Sequence, residues 1–261
     1  MTASEIPTCT RALPLQGAVN ARDLGGLHTD DGRVVRPLRV IRSDSLHDLG
    51  EDDVSFLLGR CGLATIVDLR AADEIRVDGR GAAPDGVPVY RHIHVTGGSR
   101  LRLDLAQVSA EDTMLAHYLG YLEHSSAAIV EVLELLAGSA TLPALVHCAA
   151  GKDRTGVVIA LLLGVIGVRA DEIVADYAVS AANAERLRER AGRTRSVLTR
   201  GVDVAGIPAW VFTAKASTMQ GFLDHMTAEY GGIPAWAEAA GLDAATREQL
   251  AASLLGAPDT P

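Results

Sequence analysis

The chain has 261 residues, 48% of them hydrophobic, and a formal net charge of −9. That apolar content supports a true core and excludes disorder of the whole chain, while the acidic balance argues against general nucleic-acid binding. Its three cysteines form no disulfide framework in a chain this large, which points to a reducing, cytoplasmic home, with export by a signal-less route left open.

Residues 1–14 lack the basic start and apolar block of a secretory signal and read as a loose tail. Asn20-Ala21-Arg22-Asp23-Leu24-Gly25-Gly26 has the composition of a tight bend, and Asp30-Asp31-Gly32 that of a hairpin turn. Arg33, Arg36, Arg39 and Arg42 recur every third residue and read first as a solvated face, with anion steering as the second reading. A helix is predicted to open at Glu51-Asp52-Asp53 and run through Leu58. Ala64 to Leu69 reads as a buried strand whose end carries Asp68 and Arg70. Val87 to Val95 alternates as a further strand. His92 and His94 share one face of it, but no third or fourth ligand is evident, so no metal site is assigned.

From Glu111 to Ala137 the pattern is helical, with a break expected near Glu123-His124-Ser125-Ser126. A strand over 142–147 and a helix over 154–167 follow. The apolar run Val157 to Val168 is interrupted by Gly164 and Gly167 and falls short of the ~20 residues that span a bilayer, so it reads as a core helix. Helices then dominate: one from Arg169, one within 181–200, one over 213–230 and two closing ones. Arg186, Arg188, Arg190, Arg193, Arg195 and Arg200 read first as a solvated face, since Glu185 and Glu189 lie among them, with an extended cationic field for anions as the second reading. Strands alternating with helices predict an α/β fold, a central, mostly parallel sheet of four or five strands flanked by helices. One domain over residues 15–257 is expected.

The chemistry concentrates in one decapeptide, His147-Cys148-Ala149-Ala150-Gly151-Lys152-Asp153-Arg154-Thr155-Gly156. A cysteine sits where a strand ends, and an arginine sits where a helix begins. The Cys-x5-Arg pair alone is weak, and neither Cys9 nor Cys61 has it. The flanking His147, the internal Gly151 and the trailing Thr155-Gly156 sharpen the signal. Only a thiolate attacks, and a helix N-terminus with Arg154 and Lys152 nearby favours that form. The unpaired N–H groups at such a start form an anion cradle, here from Ala149, Ala150, Gly151 and Lys152. Gly151 permits a close backbone approach, Arg154 offers a planar fork to two phosphoryl oxygens, and Thr155 has a hydroxyl to donate to the thiolate. His147 reads as a support for the loop backbone rather than as a base.

His-Cys-x-x-Gly-Lys-x-Arg-Thr-Gly resembles the signature loop of the protein-tyrosine phosphatase superfamily. The Lys-Asp-Arg variant is similar to an atypical bacterial branch, the mycobacterial protein-tyrosine phosphatase B type. Asn20 to Gly26, Ile41-Arg42-Ser43-Asp44-Ser45-Leu46 and Ile66-Val67-Asp68-Leu69-Arg70 resemble that branch's N-terminal motifs, with Ala21 standing where an aromatic is expected. The resemblance implies a phosphocysteine mechanism without cofactor or metal: Cys148 as nucleophile, Arg154 and the loop amides holding phosphate. The tripeptide Trp-Pro-Asp, which supplies the acid in many members, does not occur here. The resemblance therefore assigns the acid to Asp153, with Asp68 in reserve or as the group that orients Arg154 or Lys152. It implies phosphotyrosine as substrate, with phosphoserine, phosphothreonine and phosphoinositides as further targets, and Lys152 as an added cation for polyanions. It also implies a helical lid over about 183–230, where Trp210, Phe212, Met219, Phe222 and Met226 serve either as cover or as core. A catalytically silent phosphate-binding module and a sulfur or arsenic transfer enzyme are the rival readings.

Overall fold

A computed structural model describes residues 11–98, 110–193 and 207–257. Five strands form one sheet in the order β1-β2-β5-β3-β4. They are β1 (Arg22–Asp23), β2 (Val40–Ser43), β3 (Thr65–Asp68), β4 (Val89–His92) and β5 (Ala144–His147). β1 pairs antiparallel with β2, and the other neighbours are parallel. The expected α/β architecture is present.

β5 lies at the centre and is buried along its whole length. Its apolar run follows from that position, because a parallel strand covered on both faces has no solvent side to colour polar. Alternate residues serve two cores. Ile41, Leu145 and Ile66 stand opposite one another in register and face a smaller cluster with Leu15, Leu46 and Leu57. Val40, Val67 and Val146 face the larger cluster on the other side. Truncating a side chain such as Leu145 to alanine costs about 2–5 kcal/mol at sites this closely packed.

The larger core is built by helices. α4 (Ala110–Ala137) carries non-helical backbone at Ser125, where the break was expected. α5 (Asp153–Val165) is buried continuously from Thr155 to Leu163, which accounts for its lack of a polar stripe. α6 (Ala170–Ala178), α8 (Ala216–Tyr230), α9 (Ile233–Ala239) and α10 (Ala244–Leu254) pack around these two. Among the described residues, the remaining α-helices are α1 (Glu51–Ser55), which continues as a wider turn over Phe56–Arg60, α2 (Ala72–Asp78), the short α3 (Ala83–Gly86) and α7 (Ala184–Arg193). Among the described residues, no helix is long and apolar enough to cross a membrane.

Two expectations need correction, and one open alternative is narrowed. Residues 11–14 are not a loose tail, because Asp23 N donates to Arg11 O, Leu13 N donates to Ala21 O and Ala12 bridges Arg22. Of the apolar set read as either cover or core, Met219, Phe222 and Met226 of α8 are fully buried in the main cluster and Trp210 packs against it, whereas Phe212 is half-buried and outside it. The rest of the expected lid, residues 194–206, lies outside the described residues. Thirdly, Arg42 and Arg190 are buried rather than solvated.

Candidate active site

The parallel register brings three strand ends together. Ser43 of β2 and Asp68 of β3 both stand opposite His147 of β5. The carboxyl edge of such a sheet is where α/β proteins place their ligands. Cys148 follows directly, buried at the base of a bend that runs from residue 149 to residue 152 and enters α5 at Asp153.

Three successive carbonyls of this bend are drawn outward. Ser45 N donates to Ala149 O at 3.0 Å, Asn20 Nδ2 to Ala150 O at 3.0 Å and Arg42 Nη2 to Gly151 O at 2.8 Å. The N–H groups of Ala149, Ala150, Gly151 and Lys152 donate to no acceptor among the described residues. With the carbonyls held away, a row of unpaired amides at a helix N-terminus forms a concavity for an anion. Gly151 has φ of +65°, and a Cβ there would fall 2.5 Å from Ser43 O and 2.6 Å from Asp44 N. No side chain fits that crossing.

The clamps are themselves braced. Arg42 reaches Asp176 at 2.6 Å, and the same carboxylate takes Arg11 and Arg22. Arg190 of α7 donates to Gly17 O, Asp44 Oδ2 and Ser45 O at 2.7, 2.8 and 2.8 Å. Each of these buried guanidinium groups is paired with a carboxylate, although Arg42 Nε and Arg190 Nε find no hydrogen-bond partner among the described residues. A cleft of about 860 Å³ lies beyond Arg190, lined by His47, Asp48, Glu51, Asp52 and Asp78. Its walls are acidic and include no residue of the 147–155 loop, so it is not the phosphate site.

Arg154 is held by Glu74. Its Nη1 lies 2.5 Å from Oε2 and its Nη2 2.8 Å from Oε1. Glu74 Oε2 also accepts the Ala71 N–H at 2.7 Å at the start of α2, which fixes the carboxylate from behind. Burial works against the Arg154 charge, but Glu74 and Cys148 more than offset it and hold the guanidinium protonated above its ordinary range. Glu74 is a site residue that the motif reading passed over. Its one local signal is an acid in the first turn of the helix that follows β3.

Asp68 does not orient Arg154 or Lys152. Its carboxylate receives Arg70 Nε at 2.9 Å and Nη2 at 2.7 Å and the Tyr90 hydroxyl at 3.0 Å, because its strand end faces Arg70 two residues on. Arg70 in turn donates to Ser45 Oγ at 3.0 Å, so this pair supports the Ala149 clamp. His147 lies between these groups and the loop, with Nδ1 3.3 Å from Cys148 O and Nε2 3.6 Å from Asp68 Oδ2. Burial pushes its pKa down to about 4, against the pull of Asp68, so the ring is neutral at pH 7. His92 Nε2 lies 2.7 Å from Arg70 O.

Lys152 differs from expectation. It is buried, and its Nζ donates to Thr213 O at 3.0 Å and meets Asp153 Oδ1 at 2.9 Å rather than pointing into the cradle. Tyr118 donates to the same Oδ1 at 2.7 Å. Burial raises the Asp153 pKa, but Lys152, His117 and the Tyr118 hydrogen bond outweigh it and leave the carboxyl below its usual value. Thr155 Oγ1 is buried and has no hydrogen-bond partner among the described residues, so the expected bond to the thiol is not formed here.

A cysteine under an amide cradle, with an arginine fork at the head of the following helix and a parallel sheet behind, defines an α/β phosphatase of the protein-tyrosine-phosphatase type. A family model described as the tyrosine phosphatase family matches residues 13–256, and the chain belongs to that family. It is 30% identical to the triple specificity protein phosphatase PtpB of Mycobacterium tuberculosis, over 93% of this chain and 98% of that one. It is 33% identical to a tyrosine-protein phosphatase of Nostoc commune, over 67% of this chain and 52% of that one. The solved structure of P. aeruginosa TpbA aligns with a TM-score of 0.35 and 16% identity, covering 76% of this chain and 96% of that one. The chain is thus a protein phosphatase of the atypical bacterial branch.

Proposed function

We propose that the chain hydrolyses phosphotyrosine in proteins through a phosphocysteine intermediate, with Cys148 as nucleophile. The observation that carries this reading is the outward hold on the carbonyls of Ala149, Ala150 and Gly151, which leaves their amides around Cys148. The thiolate attacks phosphorus, an S–P bond forms and the P–O bond to the leaving group breaks. The loop amides and Arg154 take up the charge that builds on the phosphoryl oxygens. Asp153 gives its proton to the leaving oxygen. Water then attacks phosphorus, Asp153 takes the proton back and the S–P bond breaks.

Asp153 is a carboxylate when the loop is empty, since its pKa is lowered. A phosphate dianion arriving beside it opposes that charge and favours the protonated form. Oδ1 carries both Lys152 and Tyr118, whereas Oδ2 has no partner among the described residues and is the oxygen left to carry the proton.

The substrate range extends, on this reading, to phosphoserine, phosphothreonine and phosphoinositides. The description of the M. tuberculosis relative as triple specificity supports a broad range. The test is a panel of phosphotyrosine, phosphoserine and phosphothreonine peptides and phosphoinositides, run with chelator on the wild type and on Cys148→Ser. Turnover by the wild type that is lost in the variant is expected. Tight binding of every substrate without turnover would instead make the loop a phosphate-binding module.

A further inference from the structure

We propose that Tyr118 is a positioning residue for the acid–base step: its hydroxyl, backed by Tyr177, anchors Asp153 Oδ1 and aims Oδ2 at the leaving oxygen. The inference rests on the reading of Asp153 as the acid, and adds a residue from an α4 position remote from the signature loop.

Tyr118 is fully buried in α4, yet it places a polar atom against the loop. Its hydroxyl lies 2.7 Å from Asp153 Oδ1 and 2.6 Å from the Tyr177 hydroxyl. A phenol has one proton to give, and a carboxylate is the stronger acceptor, so Tyr118 donates to Asp153 and Tyr177 donates to Tyr118. The chain therefore runs Tyr177 to Tyr118 to Asp153. It draws on α6, α4 and the first residue of α5.

The packing around this chain is specific. A Cβ at Gly156 would fall 3.0 Å from the Tyr177 ring, so the glycine that ends the decapeptide is what lets that ring lie against α5. The Tyr118 and Tyr177 rings meet nearly edge to face, at 81° and 6.1 Å. A core of hydrocarbon alone would not need two hydroxyls there. A buried polar pair that ends on an active-site carboxylate has a chemical task.

Fixing Oδ1 matters because a carboxyl has two oxygens and only one can carry the proton to the substrate. Lys152 and Tyr118 approach the same oxygen. With Oδ1 occupied twice, rotation about the Asp153 side chain would break two charge-assisted bonds, so Oδ2 holds one direction. The titratable groups that interact with Asp153 come from three elements: Lys152 of the loop, His117, Tyr118 and Tyr121 of α4, and Tyr177 of α6; Arg154, Cys148 and Glu74 bear in turn on Tyr121. Of the three tyrosines, Tyr118 is the one whose hydroxyl touches Asp153 directly, and its loss as a single oxygen leaves the phosphate cradle and the Arg154–Glu74 pair in place.

The experiment compares Tyr118→Phe, Asp153→Asn and the double variant on aryl phosphates with good and poor leaving groups, across pH. In Asp153→Asn, poor leaving groups slow more than good ones if Asp153 is the acid; equal slowing there removes that assignment, and the role of Tyr118 with it. Given that discrimination, Tyr118→Phe is expected to slow a poor leaving group about tenfold and a good one much less. Its high-pH limb is expected to move upward, because a donor to the carboxylate form has been lost. In the Asp153→Asn background, removing the Tyr118 hydroxyl is expected to have little further effect. Equal slowing of both substrate classes by Tyr118→Phe, with the limb unmoved and additive effects in the double variant, would overturn the proposal. Tyr177→Phe provides an independent reading should Tyr118→Phe not fold: the same pattern at smaller size supports the chain, and a uniform loss contradicts it.

Discussion

Arg154 and Glu74 meet as two forks, with paired contacts at 2.5 and 2.8 Å, one from the head of α5 and the other from the first turn of α2. The carboxylate is also tied to the Ala71 N–H, so the guanidinium plane is set before any ligand arrives. In the proposed mechanism, a preset plane would meet two phosphoryl oxygens without reorganisation.

On the proposed reading of Arg154 as the phosphate fork, replacing Glu74 acts at a distance on phosphate binding. Glu74→Gln keeps the shape but loses the charge and one of the two forked contacts. We expect kcat/KM on an aryl phosphate to fall about 10- to 100-fold, with Glu74→Asp intermediate. Steady-state kinetics with unchanged circular dichroism checks this, and unaltered kcat/KM in Glu74→Gln would remove the positioning role.

Gly151→Ala tests the loop crossing. The added methyl would meet Ser43 O and Asp44 N in a backbone of positive φ, so either the crossing or the sheet edge must move. Loss of at least about 100-fold in kcat/KM is expected, together with destabilisation of about 1–3 kcal/mol from the strained conformation. Thermal unfolding and aryl phosphate turnover measure the two effects separately.

Stability should depend on His147. Its folded pKa is depressed to about 4, whereas an unfolded histidine titrates near ~6.5. Below ~6.5 the unfolded chain binds a proton that the folded chain refuses, so the stabilisation is present above that pH and is lost as pH falls toward 4. The side chain is 1% exposed, and the loss integrates to about 3 kcal/mol. Urea unfolding between pH 7 and 4 should show this limb in the wild type and a flatter one in His147→Gln. Identical slopes in the two would contradict the assignment.

Cys61 should be inert. Burial pushes its thiol up to about 11, with Asp23 adding to the rise. Alkylation of the folded protein at about pH 8 is expected to leave Cys61 unmodified, and peptide mass spectrometry after unfolding should show it labelled.

Much of this was legible in the sequence because it is local. The decapeptide placed a strand end, a bend and a helix start within a few residues, and Gly151 sits where a side chain cannot. The motifs at 20–26, 41–46 and 66–70 were visible as resemblances, and their physical task is now plain: Asn20, Arg42 and Ser45 hold the loop carbonyls, and Arg70 holds Ser45. The partners that come from elsewhere in the chain were not legible. Arg42 belonged to a three-residue arginine rhythm that looks solvated, yet β2 is an interior strand and its side chain ends on Asp176, 134 positions away. Arg190 stood in an arginine-rich helix with no local mark to separate it from its exposed neighbours. Charge alone marks Lys152 as a partner for anions, whereas the turn into α5 directs it beneath Thr213.

The central claim is that phosphate passes through Cys148. The direct measurement is acid quench of the enzyme during turnover of an aryl phosphate, followed by peptide mass spectrometry. A phosphoryl adduct on the peptide carrying Cys148 is expected in the wild type, and neither adduct nor turnover in Cys148→Ser. Full turnover by Cys148→Ser, with no adduct in either protein, would contradict it.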